Sequence, residues 1–259
     1  MNELEFIKET ALEAGKLAKS YFRREDLLVE YKSAKDLVTE ADKHVERFIL
    51  EQIAKTYPED STFGEEYGKT KGNHREWIID PIDGTGSFAQ GQPFFSISIA
   101  MYSHEQAQIA AVVAPILDEI YYAEKGKGAW CNGKKISVSK TNDLSQSMLA
   151  TGFACLRSDL QPNNIPFLNA ILPRIRDLRR FGSAAIDLCY VACGRLDGFW
   201  ELNLKPYDIA AGKLIVEEAG GVYSDFDNKN HHRAGEVLAT NGLLHSDLNE
   251  VIRLVKADF

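Results

Sequence analysis

The chain has 259 residues, 44% hydrophobic and 26% charged, a balance ordinary for one large globular domain or two closely packed ones. Thirty Lys and Arg against 38 Asp and Glu leave a formal net charge of -8, which argues against general nucleic-acid binding because that needs a basic surface. Anionic substrates stay open, since bound metal ions can supply the positive field, and the 3 Trp, 10 Tyr and 13 Phe argue against disorder.

In chain order, residues 2–22 read as an amphipathic helix with Leu4, Phe6, Ile7, Ala11, Ala14, Leu17, Ala18 and Tyr21 on one side. Leu27 to Tyr31 suits a short strand. Residues 40–56 suit a second helix, with Ala41, Val45, Phe48, Ile49 and Ile53 near the helical period. Trp77-Ile78-Ile79 is a short strand, and 96–102, 108–114 and 119–124 are consecutive strands followed by a hairpin at GKGAWCNGKK. The second half alternates. Strands are expected at 148–153, in Leu178-Arg-Arg-Phe181, at 197–202 and at 237–241. Helices are expected at 164–176, 183–194 and 207–221, and from Ser246 onward. This pattern predicts layered α/β packing with an antiparallel sheet in the middle of the chain. One domain over 1–259 is expected, its halves, 1–140 and 141–259, meeting near 137–147. No apolar run reaches the length of a membrane span, and the N-terminus lacks the apolar core of a signal peptide. Cys131, Cys155, Cys189 and Cys193 form no CxxC and are expected as free thiols, which points to the cytoplasm.

The chemistry concentrates in four segments. In Trp77-Ile-Ile-Asp80-Pro-Ile-Asp83-Gly-Thr85, a strand runs into two aspartates, and Pro81 discourages helix at Asp80. The turn brings the two carboxylates together, and two anions that close need a cation or a shared proton. Gly84 and Thr85 lead into a helical turn whose bare amides can hold a phosphate. Oxygen ligands beside such a turn suit Mg²⁺, although an Asp-Pro turn with a capping Asp fits the same letters. In STFGEEYG, Glu65 and Glu66 follow a strand and a glycine; one can reach the same cluster, or the pair is an acidic loop. The run from Gly64 to Thr70 has three residues between its glycines where a P-loop needs four. Asp208 opens an apolar helix after Pro206 and Tyr207, as a third carboxylate or as an ordinary cap. Glu201 lies seven residues before it and suits a polyol hydroxyl better than a phosphate. In the fourth segment, 30–42, Lys32 follows a strand and Asp42 sits in a helical first turn; alone, these are solvated charges. His44, His74, His104, His231, His232 and His245 show no zinc spacing. Arg174, Arg176, Arg179 and Arg180 form a basic run that suits an acidic partner, a solvated helix end or a subunit interface.

Together, in this order, the segments resemble the inositol monophosphatase family of Mg²⁺-dependent, lithium-sensitive phosphatases. The resemblance rests on Trp77 to Thr85, on Lys205-Pro-Tyr-Asp208-Ile-Ala-Ala-Gly212, on Gly64-Glu65-Glu66 and on 179–201, and it spans nearly the whole chain. It implies a five-layer αβαβα sandwich and a homodimer. It implies that Glu65, Asp80 and the Ile82 carbonyl hold one metal, that Asp80, Asp83 and Asp208 hold a second, and that Glu65 with water forms a weaker third site. Catalytic roles fall to Glu65, Thr85 and Asp80. Substrate contacts fall to Asp83, Gly84, Thr85, Ser183, Ala184, Glu201 and Asp208, and Lys32 and Asp42 match positions behind the ligands. The implied reaction is Mg²⁺-dependent hydrolysis of a small-molecule phosphate monoester, inositol 1-phosphate first, with histidinol phosphate, fructose 1,6-bisphosphate and 3′-phosphonucleotides as the alternatives. A non-catalytic regulatory protein on the same fold is the reading from a different class. Gly86-Ser87 and Tyr207 depart from the family pattern without removing a ligand, which bears on substrate preference rather than on chemistry.

Overall fold

The computed structural model describes residues 2–33, 36–73, 75–157, 160–230 and 235–257. Helices α1 (Glu3–Tyr21) and α2 (Glu40–Thr56) flank an antiparallel pair, β1 (Val29–Ser33) and β2 (Asp36–Thr39). Then come β3 (Ser61–Gly64), β4 (Gly68–Lys69), β5 (Arg75–Asp83) and the short helix α3 (Thr85–Ala89). An antiparallel run follows: β6 (Ser96–Ser103), β7 (Gln106–Ala114), β8 (Glu119–Glu124), β9 (Gly128–Cys131) and β10 (Lys134–Lys135). The rest of the chain contributes β11 (Met148–Thr151), α4 (Ala154–Arg157), α5 (Ile165–Ile171), β12 (Asp177–Arg179) and α6 (Ala184–Ala192). It ends with β13 (Gly198–Leu202), α7 (Pro206–Glu218), β14 (Val222–Ser224), β15 (Glu236–Thr240) and α8 (His245–Lys256).

The strands form an eight-stranded sheet, β10-β9-β8-β7-β6-β5-β3-β4, and a five-stranded sheet, β12-β11-β13-β15-β14. Strand periodicity assigns each sheet two apolar faces. On β6 and β7, Ile97, Ile99, Met101, Ile109, Ala111 and Val113 pack toward α1 and α2, while Ala100, Tyr102, Ala110, Val112 and Ala114 pack toward α6 and α7. On β13 and β15, Phe199, Val237 and Ala239 face the same central helices, and Trp200 and Leu238 face α5 and α8. Two sheets, each covered on both faces, with one helix pair shared between them, give the expected five-layer αβαβα sandwich.

Most of the expected elements form. The helix expected over 164–176 is shorter: α5 stops at Ile171 and gives way to a 3₁₀ turn over Leu172–Arg174. Pro173 lacks the amide an α-helix needs there and crowds the carbonyl one turn back. Helix α7 ends at Glu218 rather than 221, where Gly220 takes a left-handed φ of 88° and its amide bonds the Glu217 carbonyl at 3.1 Å. The strand expected at 77–79 extends to Asp83, which matters for the site. Among the described residues no helix is long and apolar enough to cross a membrane. All four cysteines are free.

Candidate active site

In a regular strand, residues three apart point to opposite faces. Asp80 and Asp83 escape that rule through a bulge. Asp80 pairs with Ser98 and Asp83 with Ser96, so three steps on β5 match two on β6. Pro81, which has no amide to give to the ladder, sits at the irregularity. Ser96 and Ser98 share a face, so their partners do too. That face looks into the middle layer, where Ser96 Oγ lies 3.1 Å from Ser183 Oγ and Ser98 Oγ donates to the Tyr207 carbonyl at 3.5 Å.

The middle layer meets this edge with the starts of two helices. Asp83 Oδ2 accepts the Ser183 hydroxyl at 2.5 Å and the Ala185 amide at 2.7 Å, both from the start of α6. Asp208 lies in the first turn of α7 and accepts the Lys205 amide at 2.6 Å. Carboxylates there are favoured by free amides and by the helix dipole. Asp80 accepts the Ile82 amide at 3.1 Å within its own turn. Asp80, Asp83 and Asp208 each offer an oxygen, and these atoms all lie within 4.8 Å of one another. Burial, and then the charges of Glu65, Asp83 and Asp208, hold the Asp80 carboxyl well above the ordinary carboxylate range. Burial and the Asp83 charge do the same to Asp208. The cluster is therefore repulsive as it stands and gains from a cation. An all-oxygen carboxylate set is the donor chemistry of hard divalent ions such as Mg²⁺ and Ca²⁺.

A cavity of about 600 Å³ opens over this cluster. Glu65, Asp80, Ile82, Asp83, Gly84, Thr85 and Asp208 all line it. Glu65 reaches the same space from the end of β3 but stands outside the tight group of three. Gly84 has a φ of 93°, and a Cβ there would come within 2.9 Å of the Phe94 carbonyl oxygen, so the turn between β5 and α3 requires glycine. Thr85 Oγ1 lies 3.0 Å from the Ile82 carbonyl and 3.1 Å from Asp42 Oδ1, two acceptors for one proton. Asp42 is fully buried and accepts the Thr39 amide and hydroxyl at 2.8 and 2.6 Å; burial pushes its pKa up to about 6 against those bonds.

Three expected residues stand behind the cavity lining. Ser183 is wholly buried and spends its hydroxyl on Asp83. Ala184 is 7% exposed beside it. Glu201 shares the inner face of β13 with Phe199, yet its carboxylate accepts the Ala154 amide at 2.9 Å and lies against Gly152, where any Cβ would collide with it. The Lys32 side chain, His74, His231 and His232 lie outside the described residues. Glu66 donates its amide to Glu46 Oε2 at 2.8 Å.

Glu46 is absent from the sequence reading and central to this corner. It is fully buried, and its second oxygen accepts the Tyr67 amide at 2.9 Å, so one carboxylate fixes the turn that carries Glu65. A Cβ on Gly64 would sit 1.9 Å from that carboxylate. The signal is present in α2, where Asp42 and Glu46, one turn apart, fall beside Val45 and Ile49 on the buried stripe. Glu46→Ala leaves two amides without their acceptor, at roughly 1–3 kcal/mol each. A lower melting temperature is expected, with Glu46→Gln losing less; an alanine variant as stable as wild type would refute this role.

The molecule is similar to known proteins along its whole length. A curated relative from Pasteurella multocida, named Nus factor SuhB, is 43% identical over 213 residues, covering 82% of this chain and 80% of its own. The Nus factor SuhB of Haemophilus influenzae is 40% identical over 247 residues, covering 94% and 92%. Among solved structures, an inositol monophosphatase from Anabaena superposes with a TM-score of 0.88 at 37% identity, covering 97% of this chain and 95% of that one. The Thermotoga maritima IMPase reaches a TM-score of 0.90 at 37% identity, covering 100% and 99%. Residues 2–257 match the family pattern as a whole, and the chain belongs to the inositol monophosphatase family.

Proposed function

We propose that the chain is a divalent-metal-dependent phosphate monoester hydrolase acting on inositol 1-phosphate. The observation that carries the reading is the meeting of Asp80, Asp83 and Asp208 under a cavity that Gly84 and Thr85 also line. In this reading Asp80, Asp83, Asp208, Glu65 and the Ile82 carbonyl hold two or three Mg²⁺ ions. Bound there, such ions supply Lewis-acid activation of water and neutralise phosphate charge. The protein's own groups do the rest. First-turn amides of a helix have no intrahelical acceptor, so those of Thr85 and its neighbours serve the phosphate oxygens. Glu65 and the Thr85 hydroxyl orient the attacking water. Thr85 Oγ1 takes the attacking water's proton as it passes its own to Asp42 Oδ1, 3.1 Å away, and an acid held at about 6 suits a base working near neutrality. Asp83 and Asp208 face the polyol, while Ser183, Ala184 and Glu201 shape the wall from behind.

The test is a substrate panel with purified protein. Inositol 1-phosphate should be hydrolysed faster than histidinol phosphate, fructose 1,6-bisphosphate or a 3′-phosphonucleotide. Chelator should abolish turnover and Mg²⁺ restore it; turnover indifferent to chelator would refute the metal-dependent reading. Lithium inhibition, a homodimer and a cytoplasmic location belong to the same proposal, the dimer being checked by light scattering.

The curated relatives carry the name Nus factor SuhB, which favours a second reading, a non-catalytic regulatory or binding role. The two readings separate in Asp80→Asn, which should lose hydrolysis and keep any partner captured by the wild type.

A further inference from the structure

A second cavity, of about 520 Å³, opens toward the far end of α7 and shares no lining residue with the active site. Asp208, in the first turn of α7, belongs to the site already described, whereas Lys213 and Glu217, further along the helix, line this one. The helical rise puts Glu217 roughly 14 Å from Asp208 along the axis. The volume falls in the range of small-molecule sites, and Tyr102, Ala107 and Leu214 give it an apolar wall.

Most of the charges that line this cavity are spent. Lys125 donates to Gln106 Oε1. Glu218 accepts the Gly126 and Gly128 amides at 2.7 and 2.8 Å. His104 and Glu105 have partners of their own. Two groups remain, one of each sign, one turn apart on the helix. Lys213 is only 9% exposed, and its ammonium makes no hydrogen bond among the described residues. Its ion-pair partner, Glu217 Oε1, is 3.9 Å away, beyond hydrogen-bond reach, and accepts Asn230 Nδ2 at 2.9 Å instead. Glu217 Oε2 is left without a hydrogen bond among the described residues. Lys213 Nζ faces the Tyr223 ring at 5.2 Å, and the buried Tyr223 hydroxyl also lacks a partner, so this corner holds two donors in want of an acceptor. A buried ammonium without hydrogen bonds is a cost, and burial lowers the Lys213 pKa accordingly.

We propose that this cavity is a binding site for a free α-amino acid, whose carboxylate is taken by Lys213 and whose ammonium is taken by Glu217. A simple anion would satisfy Lys213 but meet repulsion from Glu217, and a simple cation would do the reverse. A zwitterion satisfies both, and the two charges of an α-amino acid, carried on a single carbon, suit protein charges on adjacent turns. Tyr102, Ala107 and Leu214 then receive the side chain. The site stands apart from the phosphatase reading and does not depend on it.

The experiment screens the standard L-amino acids for a rise in melting temperature of the full chain, then titrates the best of them by calorimetry. Lys213→Met and Glu217→Gln should each weaken binding at least about tenfold, the value of one charge-assisted hydrogen bond. Glu217 is one-third exposed, so its variant reports on the site even where the Lys213 change disturbs packing. The deaminated acid and the decarboxylated amine of the same amino acid should each bind at least about tenfold more weakly than the parent. Asp80→Asn should bind the amino acid as wild type does. The proposal is overturned if no amino acid stabilises the wild type, if both variants bind as tightly, or if the deaminated acid matches its parent, which would make this a plain anion site. Loss of binding in Asp80→Asn would place the ligand in the active site and overturn it equally.

Discussion

Asp80→Asn should lose at least about 10³-fold in turnover, the order of effect when a preorganised transition-state contact is deleted, and should melt higher than wild type when both are metal-free. The two effects have one origin. Asp80 is buried among Glu65, Asp83 and Asp208, and its carboxyl is held well above the ordinary range by burial and by those charges. Without a cation, the ionised form is a cost to the folded state. Asparagine has nearly the same shape and keeps an oxygen to accept the Ile82 amide, now 3.1 Å from Asp80 Oδ1, but removes one charge from the cluster. For a chain of this size, each kcal/mol recovered raises the melting temperature by roughly 2–4 °C. Added Mg²⁺ should narrow or reverse the order, because the wild type gains a ligand that the variant holds poorly. Calorimetry with and without Mg²⁺, beside a phosphate-release assay, reads both. A variant that keeps activity within about tenfold of wild type, or that melts lower without metal, would show that Asp80 is not part of a strained ligand set.

How much of this was legible in the sequence depends on what the letters encode. The apolar periods of α1, α2, β6 and β7 are local and dictated those elements nearly to their ends. The gathering of Asp80, Asp83 and Asp208 was legible as chemistry, because carboxylates at strand ends and helix starts have few other uses in that combination. The device that aligns Asp80 with Asp83 was not. The sequence suggested a turn at Pro81, whereas β5 continues through a one-residue bulge, a matter of register against β6 that one strand cannot reveal. Glu46 was hidden for a different reason. A glutamate in an amphipathic helix ordinarily faces water, and only the approach of the Gly64–Tyr67 turn makes this one a buried acceptor. Arg180 was visible as one of four basic residues, but a charge run gives no hint of which member lines the active-site cavity. Glu201 was read as facing the cleft and a polyol hydroxyl; its hydrogen bond to the Ala154 amide depends on a loop far away in sequence, which the letters around 201 do not show.

The second large effect is on stability against pH. Four acids in or beside the cluster, Asp42, Asp80, Asp187 and Asp208, bind protons more tightly folded than unfolded. A raised carboxyl favours the folded state most at a pH below its unfolded value, and the advantage is lost as pH climbs through the folded one. For Asp42 the window runs from 3.8 to about 6, a span of about 3 kcal/mol at 1.36 kcal/mol per unit. Two groups of contrary sign bound the window. His245, buried and pushed below its ordinary value, adds stability as pH rises toward 6.5. The exposed acids Asp26, Asp143, Asp177 and Asp227, whose carboxyls are lowered, matter only below 3.8. The metal-free protein should therefore lose stability between about pH 4.5 and 7, and Asp80→Asn should lose less of it. Divalent cations reverse the trend because ligation requires the deprotonated carboxylates. The melting-temperature gain from Mg²⁺ should therefore grow steadily from pH 5 to 8 in wild type and stay small in Asp80→Asn. A gain equal in the two proteins, or constant with pH, would mean that the ion binds elsewhere and that these carboxylates titrate independently of it.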